Sequence, residues 1–478
     1  MSVKEEILKT EKCDAKNFNP NTVLEWVDFF QKNKPQINGL VGGIMLIVFG
    51  GQNIGWGIFN SHLRIQPWSG GYEDDGTIFW TIISWFIANI FGLIIGSFLI
   101  RRHTKMRIYI FSSLLSATSA ICFIVYPTNI SIIQIARIVS SLANGIVYLV
   151  ILVHASELSI PKIRGYHISM INFCQFIGVL LTAQNISYVY KTRSYETDPT
   201  KMLGYSGLIC ILSGLFLALF LNRESPVYLI QKYKEKEALN NLMRLRSELH
   251  ESLSIRDEYN ELVLMVKEDS QSALNITHYC YQFIIVIILK SLFVFSFNMP
   301  LNMYFLNLAK IHFYDGEVDN TGLYLLSARL VAMLVAILFI DFKRMKLFFF
   351  SLLGSGIALI FLSQYPVKDD SIYSALIAIA FQIFSGFGIS FISDIYLVDS
   401  VNTRIKPIFI SLTTIYEVLL HIILVVSYFY FKISISNLLL IFGLMMIFAI
   451  IAYPFNSKYK ILPDTSGLSL RRARNKFL

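Results

Sequence analysis

The chain has 478 residues, of which 55% are hydrophobic and 15% charged, and its mean hydropathy is +0.57. So apolar a composition excludes a water-soluble domain and points to a protein whose solvent is partly lipid. The formal charge of +9 does not indicate nucleic acid, because the basic residues fall in short loops between apolar runs and in the tail Arg471-Arg472-Ala473-Arg474.

Residues 1–36 are mixed in charge and hold no apolar signal core, so they read as a cytosolic tail, with the first span itself directing insertion. Six apolar runs follow, near 37–59, 78–100, 107–126, 131–155, 167–190 and 203–221, each about the ~20 residues needed to cross a bilayer core. Gly39, Gly42, Gly43, Gly50, Gly51, Gly55 and Gly57 crowd the first of them. In an apolar helix they signal close helix packing, not a phosphate loop.

The long polar segment 222–277 then separates two apolar halves, 37–221 and 278–455. Within it Leu229, Ala238, Leu239, Leu242, Leu245 and Leu249 recur at helical spacing among Lys234, Glu235, Lys236 and Glu237, the pattern of an amphipathic helical connector on the cytosolic surface. Six more runs lie near 279–305, 321–342, 346–365, 373–397, 407–431 and 436–454, and a polar tail closes the chain at 456–478.

The fold expected is therefore an all-α membrane protein of twelve transmembrane helices in two six-helix halves. Alternate loops are basic: Arg101, Arg102, Lys105 and Arg107, then Lys162 and Arg164, then Lys343, Arg344 and Lys346, then Arg404 and Lys406. The opposite loops carry Glu73-Asp74-Asp75, Asp315 to Asp319 and Asp369-Asp370. The positive-inside rule then puts both termini and the connector in the cytosol. Cys122, Cys174 and Cys210 lie in apolar runs, and Cys13 and Cys280 on the inferred cytosolic side, with neither a disulfide framework nor a CxxC site. The sequon at Asn129 lies in a short loop at the membrane, and the one at Asn275 is cytosolic and inert. No Ser/His/Asp constellation or metal cluster is visible, so neither an enzyme nor a cofactor is expected.

Three motifs then stand in order. Arg223-Glu224-Ser225-Pro226-Val227-Tyr228-Leu229 ends span six, Ser156-Glu157 to Pro161 and Arg164-Gly165 follow span four, and Leu462-Pro463-Asp464-Thr465-Ser466-Gly467 follows span twelve. Together they resemble the sugar porter branch of the major facilitator superfamily, with its Pro-Glu-Ser-Pro-Arg, Glu…Pro-x-x-x-Arg-Gly and Pro-Glu-Thr-Lys-Gly signatures, over about residues 37–470. Gly55-Trp56 is loosely similar to the Gly-Trp of insect-type sugar porters.

The resemblance implies a carrier of a hexose, disaccharide or similar solute, built of two halves that rock about a site at mid-membrane. It implies a cytosolic clamp as well, for which Arg137, Glu157, Arg164, Glu224 and Arg404 are the candidates. Leu397 stands where the family has its second-half Glu, and the Asp-x-x-Gly-Arg loop has become Asp341-Phe342-Lys343-Arg344-Met345-Lys346, so a weakened clamp is expected. The structural alternative for each of these cations is a positive-inside charge without a gating role.

A sugar offers hydroxyls and no charge, so amides that both donate and accept suit its site. Asn172 and Gln175, nearly one helical turn apart, are candidates in span five, with interhelical hydrogen bonding as the alternative. In span seven the family's Gln-Gln pair is absent, Asn298 stands for the family's Asn with Asn302 and Tyr304 following at helical spacing, and in span ten the family's Trp is absent after Gly386-Phe387-Gly388. Instead the second half buries ionisable groups: Lys290, Arg329, Asp394, Glu417 and His421. Each needs a partner or a wet cavity, with Lys290 or Arg329 expected to pair with Glu417, in either a structural ion pair or a site for a charged solute or a proton.

Span one, 37–59, holds no Asp, Glu, Lys, Arg or His, whereas the resemblance places the coupling acid of proton symporters there. Facilitative uniport at the plasma membrane is the expectation, with a transport-deficient sensor, or a carrier of another polar or charged solute, as the alternatives.

Overall fold

A computed structural model of the chain describes residues 23–63, 75–192, 198–271, 279–313, 320–364, 372–431, 433–451 and 462–477. Cys13, the acidic stretches Glu73-Asp74, Asp315 to Asp319 and Asp369-Asp370, and the sequon at Asn275 lie outside them.

The first half is α1 (Val23–Leu63), α2 (Asp75–Arg102), α3 (Lys105–Val125), α4 (Ile130–Leu158), α5 (Arg164–Thr192) and α6 (Pro199–Leu221), with a 3₁₀ turn at Pro161–Ile163 before α5. The second is α10 (Cys280–Ser296), α11 (Met299–Phe313), α12 (Thr321–Leu362), α13 (Ile372–Gly386), α14 (Ile389–Asp399), α15 (Lys406–Phe429) and α16 (Ile435–Ile451). Among the described residues eleven helical segments are long and apolar enough to cross a membrane, and Ile435–Ile450 is a shorter apolar twelfth. Large apolar side chains stay exposed around the bundle, Ile209 at 70%, Phe220 at 66% and Phe448 at 71%. Such a surface is stable only against hydrocarbon.

Several boundaries differ from the apolar runs. Helix α1 begins at Val23, well inside the expected tail, and passes through Pro35. Spans eight and nine are helical throughout 321–362. The chain nonetheless reverses near Asp341–Arg344, because Gly322 lies beside Phe59 and Leu362 beside Tyr304, at one end of the bundle.

Spans seven and ten are each broken in two. Between α10 and α11, Phe297 is extended and the Asn298 side chain accepts from the Leu301 amide, with Pro300 in the first turn of α11. Asn-x-Pro is a helix-start signal, so the break is written in the sequence. Between α13 and α14, Gly388 lies against the backbone of Leu347 and Phe348, where no side chain fits.

The span-one glycines do pack closely. A Cβ on Gly51 would strike the Gln175 carbonyl and one on Gly178 the Val48 carbonyl, so α1 and α5 touch backbone to backbone. Across the halves α5 packs on α12 and α2 on α15. Cys122, Cys174, Cys210 and Cys280 are free thiols, and the Asn129 side chain is engaged as the N-cap of α4.

The connector is three helices rather than one: α7 (Pro226–Gln231), α8 (Glu235–Leu245) and α9 (Leu253–Gln271). Tyr233 and Ser247 adopt positive φ, 59° and 55°, and end the first two helices. Leu229, Ala238, Leu242 and Leu245 are buried as the periodicity requires, whereas Leu249, beyond the second break, is 90% exposed. A six-residue helix, α17 (Leu470–Asn475), closes the described chain beside α9.

Candidate functional site

Both halves line a central cavity of about 100 Å³, with Arg137 and Tyr148 from α4, Asn172 and Gln175 from α5, Asn298 from the span-seven break, and Glu417 and His421 from α15. Three of the five expected substrate residues, Asn172, Gln175 and Asn298, thus converge. Asn302 lies on a smaller neighbouring cavity and donates to the Asn298 carbonyl at 2.7 Å. Tyr304 is fully buried away from the cavity, its hydroxyl donating to the Leu362 carbonyl at 3.2 Å. Asn298 caps α11 and Tyr304 lies within it, and six residues on a helix of 3.6 residues per turn is a rotation of ~240°, which turns Tyr304 away from the cavity.

Three of the buried charges form one row. Lys290 Nζ lies 2.5 Å from Asp394 Oδ1 and 2.6 Å from Glu417 Oε2. Asp394 Oδ2 also accepts from Tyr148 OH and from Asn172 Nδ2, both at 2.7 Å, and Asn172 donates to the Ser390 carbonyl at 3.0 Å. Asp394 therefore bridges the halves, and Asn172 serves that bridge as well as the cavity. Arg329 is not the partner of Glu417. Its guanidinium donates to the Ser296 carbonyl, Gln382 Oε1 and Ser390 Oγ and lies over Phe176 and Phe297. His421 stacks on Phe86, ring centroids 5.5 Å apart.

Below the cavity, at the connector end, sits a cluster of ion pairs where the clamp is expected. Lys105 Nζ lies 3.3 Å from Glu157 and 3.2 Å from Glu224, whose carboxylate also takes the Lys105 amide at 2.9 Å. Arg164 Nε lies 2.8 Å from Asp399, and Arg344 is 3.2 Å from Asp341 and 3.5 Å from Asp399. Asp341 in turn accepts from the amides of Gly165 and Tyr166 at the start of α5. Glu157, Arg164 and Glu224 all lie in these ion pairs.

Three expectations about the clamp need correction. The second-half carboxylate is present at another position, since Asp399, two residues beyond Leu397, meets Arg164 and Arg344, and in the altered loop Asp341 and Arg344 are paired. Arg404 is exposed and donates to the Ser270 carbonyl, while Lys406 is buried and reaches Ser156 Oγ at 3.2 Å. Arg137 lines the cavity on the side away from the connector. It lies ~30 Å along α4 from Glu157 at 1.5 Å per residue, because span four runs toward the connector face and starts at the other. Its guanidinium donates to the carbonyls of Asn53 (2.9 Å) and Thr81 (3.3 Å) and lies 4.8 Å from the Trp56 ring.

The C-terminal motif closes the clamp from beneath. Thr465 Oγ1 donates to Asp399 at 2.7 Å and accepts from Arg344 at 2.6 Å, Arg164 donates to the Leu468 carbonyl, and Tyr396 OH donates to the Pro463 carbonyl. Burial pushes the Asp464 carboxyl up, but hydrogen bonds from Ser466 and the charges of Arg344 and Lys476 outweigh it and hold the group below the usual carboxylate range. Beyond the motif, Arg471 pairs with Glu268, and Arg474 with Asp269.

Two six-helix halves around a cavity, with interrupted spans beside it and ion pairs closing one end, define a membrane solute carrier of the major facilitator class. The fold matches the MFS proton:xylose symporter XylE bound to 6-bromo-6-deoxy-D-glucose, with a TM-score of 0.74 and 16% identity over 93% of this chain and 98% of that one. It also matches the inward open conformation of the xylose transporter XylE from E. coli, with a TM-score of 0.63 and 16% identity over 94% and 99%. The chain belongs to the sugar (and other) transporter family, whose sequence profile matches residues 55–477. That family is one of transporters rather than enzymes. An arabinose-proton symporter of Bacillus subtilis (strain 168) is 29% identical over 185 residues, 38% of this chain and 39% of that protein, so the match spans well under half of that relative.

Proposed function

We propose that the protein carries a sugar or a closely related polyhydroxylated solute across the membrane by alternating access, with the connector and both termini in the cytosol, at the plasma membrane. The observation that carries the reading is a cavity shared by both halves, with pairs across the halves that must separate if they rock: Arg164 with Asp399 at the connector end, and Asp394 with Tyr148 and Asn172 beside the cavity. The basic loops lie at that same end, which supports the orientation.

The mode we favour is facilitative. Residues 37–59 hold no titratable group, backbone carbonyls meet the Arg137 guanidinium, and both carboxylates at cavity depth share Lys290. Proton symport is the second reading, favoured by the names of the relatives and by the contact of Glu417 with the cavity. Uptake of labelled D-glucose, D-xylose and L-arabinose into vesicles, with and without an imposed proton gradient, separates them. Equilibration without accumulation supports the facilitative mode, and accumulation abolished both by a protonophore and by Glu417→Gln supports symport. Protein at the surface that moves none of the sugars points instead to the sensor.

A further inference from the structure

Two of the amides that reach the cavity are committed to the fold. The Asn298 side chain donates to the Val294 carbonyl and accepts from the Leu301 amide, and the Asn172 side chain donates to Asp394 and to the Ser390 carbonyl. The wall that α2 and α4 contribute is different. These helices touch backbone to backbone, since a Cβ on Gly145 would lie 2.5 Å from the Asn89 carbonyl oxygen. The contact brings Trp85, Asn89 and Asn144 together on the first-half side of the cavity.

Asn144 is 7% exposed, and among the described residues no hydrogen bond reaches its amide. Its Oδ1 is buried against Gly50 of α1, where a Cβ would lie 1.9 Å from Oδ1, 2.6 Å from Cγ and 3.3 Å from Nδ2. The bare backbone at Gly50 is thus what leaves room for the Asn144 side chain. Trp85, one turn of helix before Asn89, carries a buried Nε1 that likewise has no partner among the described residues. Buried amides and indoles are nearly always hydrogen-bonded, and a polar side chain within a span is costly while it meets nothing. Helix packing alone asks for no amide at this place.

We infer that Asn144 is a solute-binding residue of this carrier, with Gly50 as its positioning residue, so that spans two and four hold one edge of the sugar. The inference rests on the sugar-carrier reading and deepens it. Because Oδ1 packs on Gly50, the amide nitrogen is the end left for the solute, and a hydroxyl oxygen is the acceptor it fits. The ring position that meets Asn144 must therefore carry a hydroxyl. Gly50 acts without touching the solute, because any side chain there drives the amide from its place.

The test is competition of labelled D-glucose uptake by each singly deoxygenated D-glucose, in the wild type and in Asn144→Ala, Gly50→Ala and the double variant, at matched surface levels. The expected result in the wild type is one ring position at which loss of the hydroxyl weakens competition at least about tenfold, a penalty that falls below about threefold in Asn144→Ala. Gly50→Ala should lose the same penalty, since its methyl strikes only the flexible end of Asn144 among its three nearest neighbours. The double variant should be no worse than Asn144→Ala, because truncation of residue 144 removes the atoms that the methyl would strike. If Asn144→Ala does not reach the surface, Gly50→Ala decides the matter through the same ratio. A penalty of equal size in wild type and Asn144→Ala, or no position-dependent penalty in the wild type, overturns the role of Asn144 while leaving the carrier reading intact. A Gly50→Ala defect that persists in full on top of Asn144→Ala overturns the positioning role of Gly50. Wild-type protein at the surface that moves neither D-glucose nor D-xylose overturns the carrier reading itself, and this inference with it.

Discussion

Asp399→Asn is the most informative single change at the connector face. The carboxylate is fully buried and holds Arg164 at 2.8 Å and Arg344 at 3.5 Å, with Thr465 donating to it at 2.7 Å. The amide matches its shape but leaves two buried guanidinium groups facing a neutral partner. Removing one member of a buried pair costs about 3–5 kcal/mol where the other stays buried. When the halves separate at this end, water reaches the same groups and most of that cost disappears, so the substitution weakens the closed arrangement far more than the open one. Taking the lower figure, the equilibrium shifts toward the open form by roughly 100-fold. Ser169 offers a reporter, since it is fully buried one turn beyond Gly165 and its hydroxyl has no hydrogen-bond partner among the described residues, so Ser169→Cys is nearly isosteric. In purified protein, alkylation of Cys at this position by a bulky thiol reagent should accelerate by about two orders of magnitude in the Asp399→Asn background. An unchanged rate in protein that remains monodisperse would refute the assignment of Asp399 to the clamp.

Other substitutions test the cavity and the charge row. Gln175→Ala should raise the apparent KM about tenfold if its amide meets the solute, whereas Asn172→Ala should also change the turnover rate, because it removes a donor from Asp394; saturation kinetics of uptake separate the two. Lys290→Met should lower thermal stability in detergent by the equivalent of about 3–5 kcal/mol, since Asp394 and Glu417 then repel with no cation between them, and adding Glu417→Gln should restore part of the loss. Gly178→Leu should abolish folded protein at the membrane, because any side chain there strikes the α1 backbone; normal size-exclusion behaviour would contradict the packing described.

Much of this was legible in the sequence because lipid imposes a simple rule: a run of about twenty apolar residues is a span, and the twelve runs recur as helical segments. The partners of buried charges were legible in part. An isolated ammonium at Lys290 is too costly, so a carboxylate was required, and Glu417 is one of the two it meets. That Asp394 is the other depends on spans seven, ten and eleven converging, which spacing along one chain does not encode. Asp399 went unnoticed because motif alignment pointed to Leu397. Two residues is a rotation of ~200° on a helix of 3.6 residues per turn, and the break at Gly388 alters the facing of everything after it. Arg137 was misplaced for a different reason: a cation near a span end resembles a loop charge, and only the carbonyls of Asn53 and Thr81 show how it is accommodated inside the bundle.

The central claim is that this bundle moves a sugar-type solute through the cavity shared by its halves. Uptake of labelled D-glucose and D-xylose into cells lacking hexose transport, with surface protein quantified and Gln175→Ala and Glu417→Ala run alongside, tests it most directly. The account predicts saturable uptake that the wild type supports and both cavity variants impair at equal surface abundance. Wild-type protein at the surface that moves neither sugar above background would contradict it.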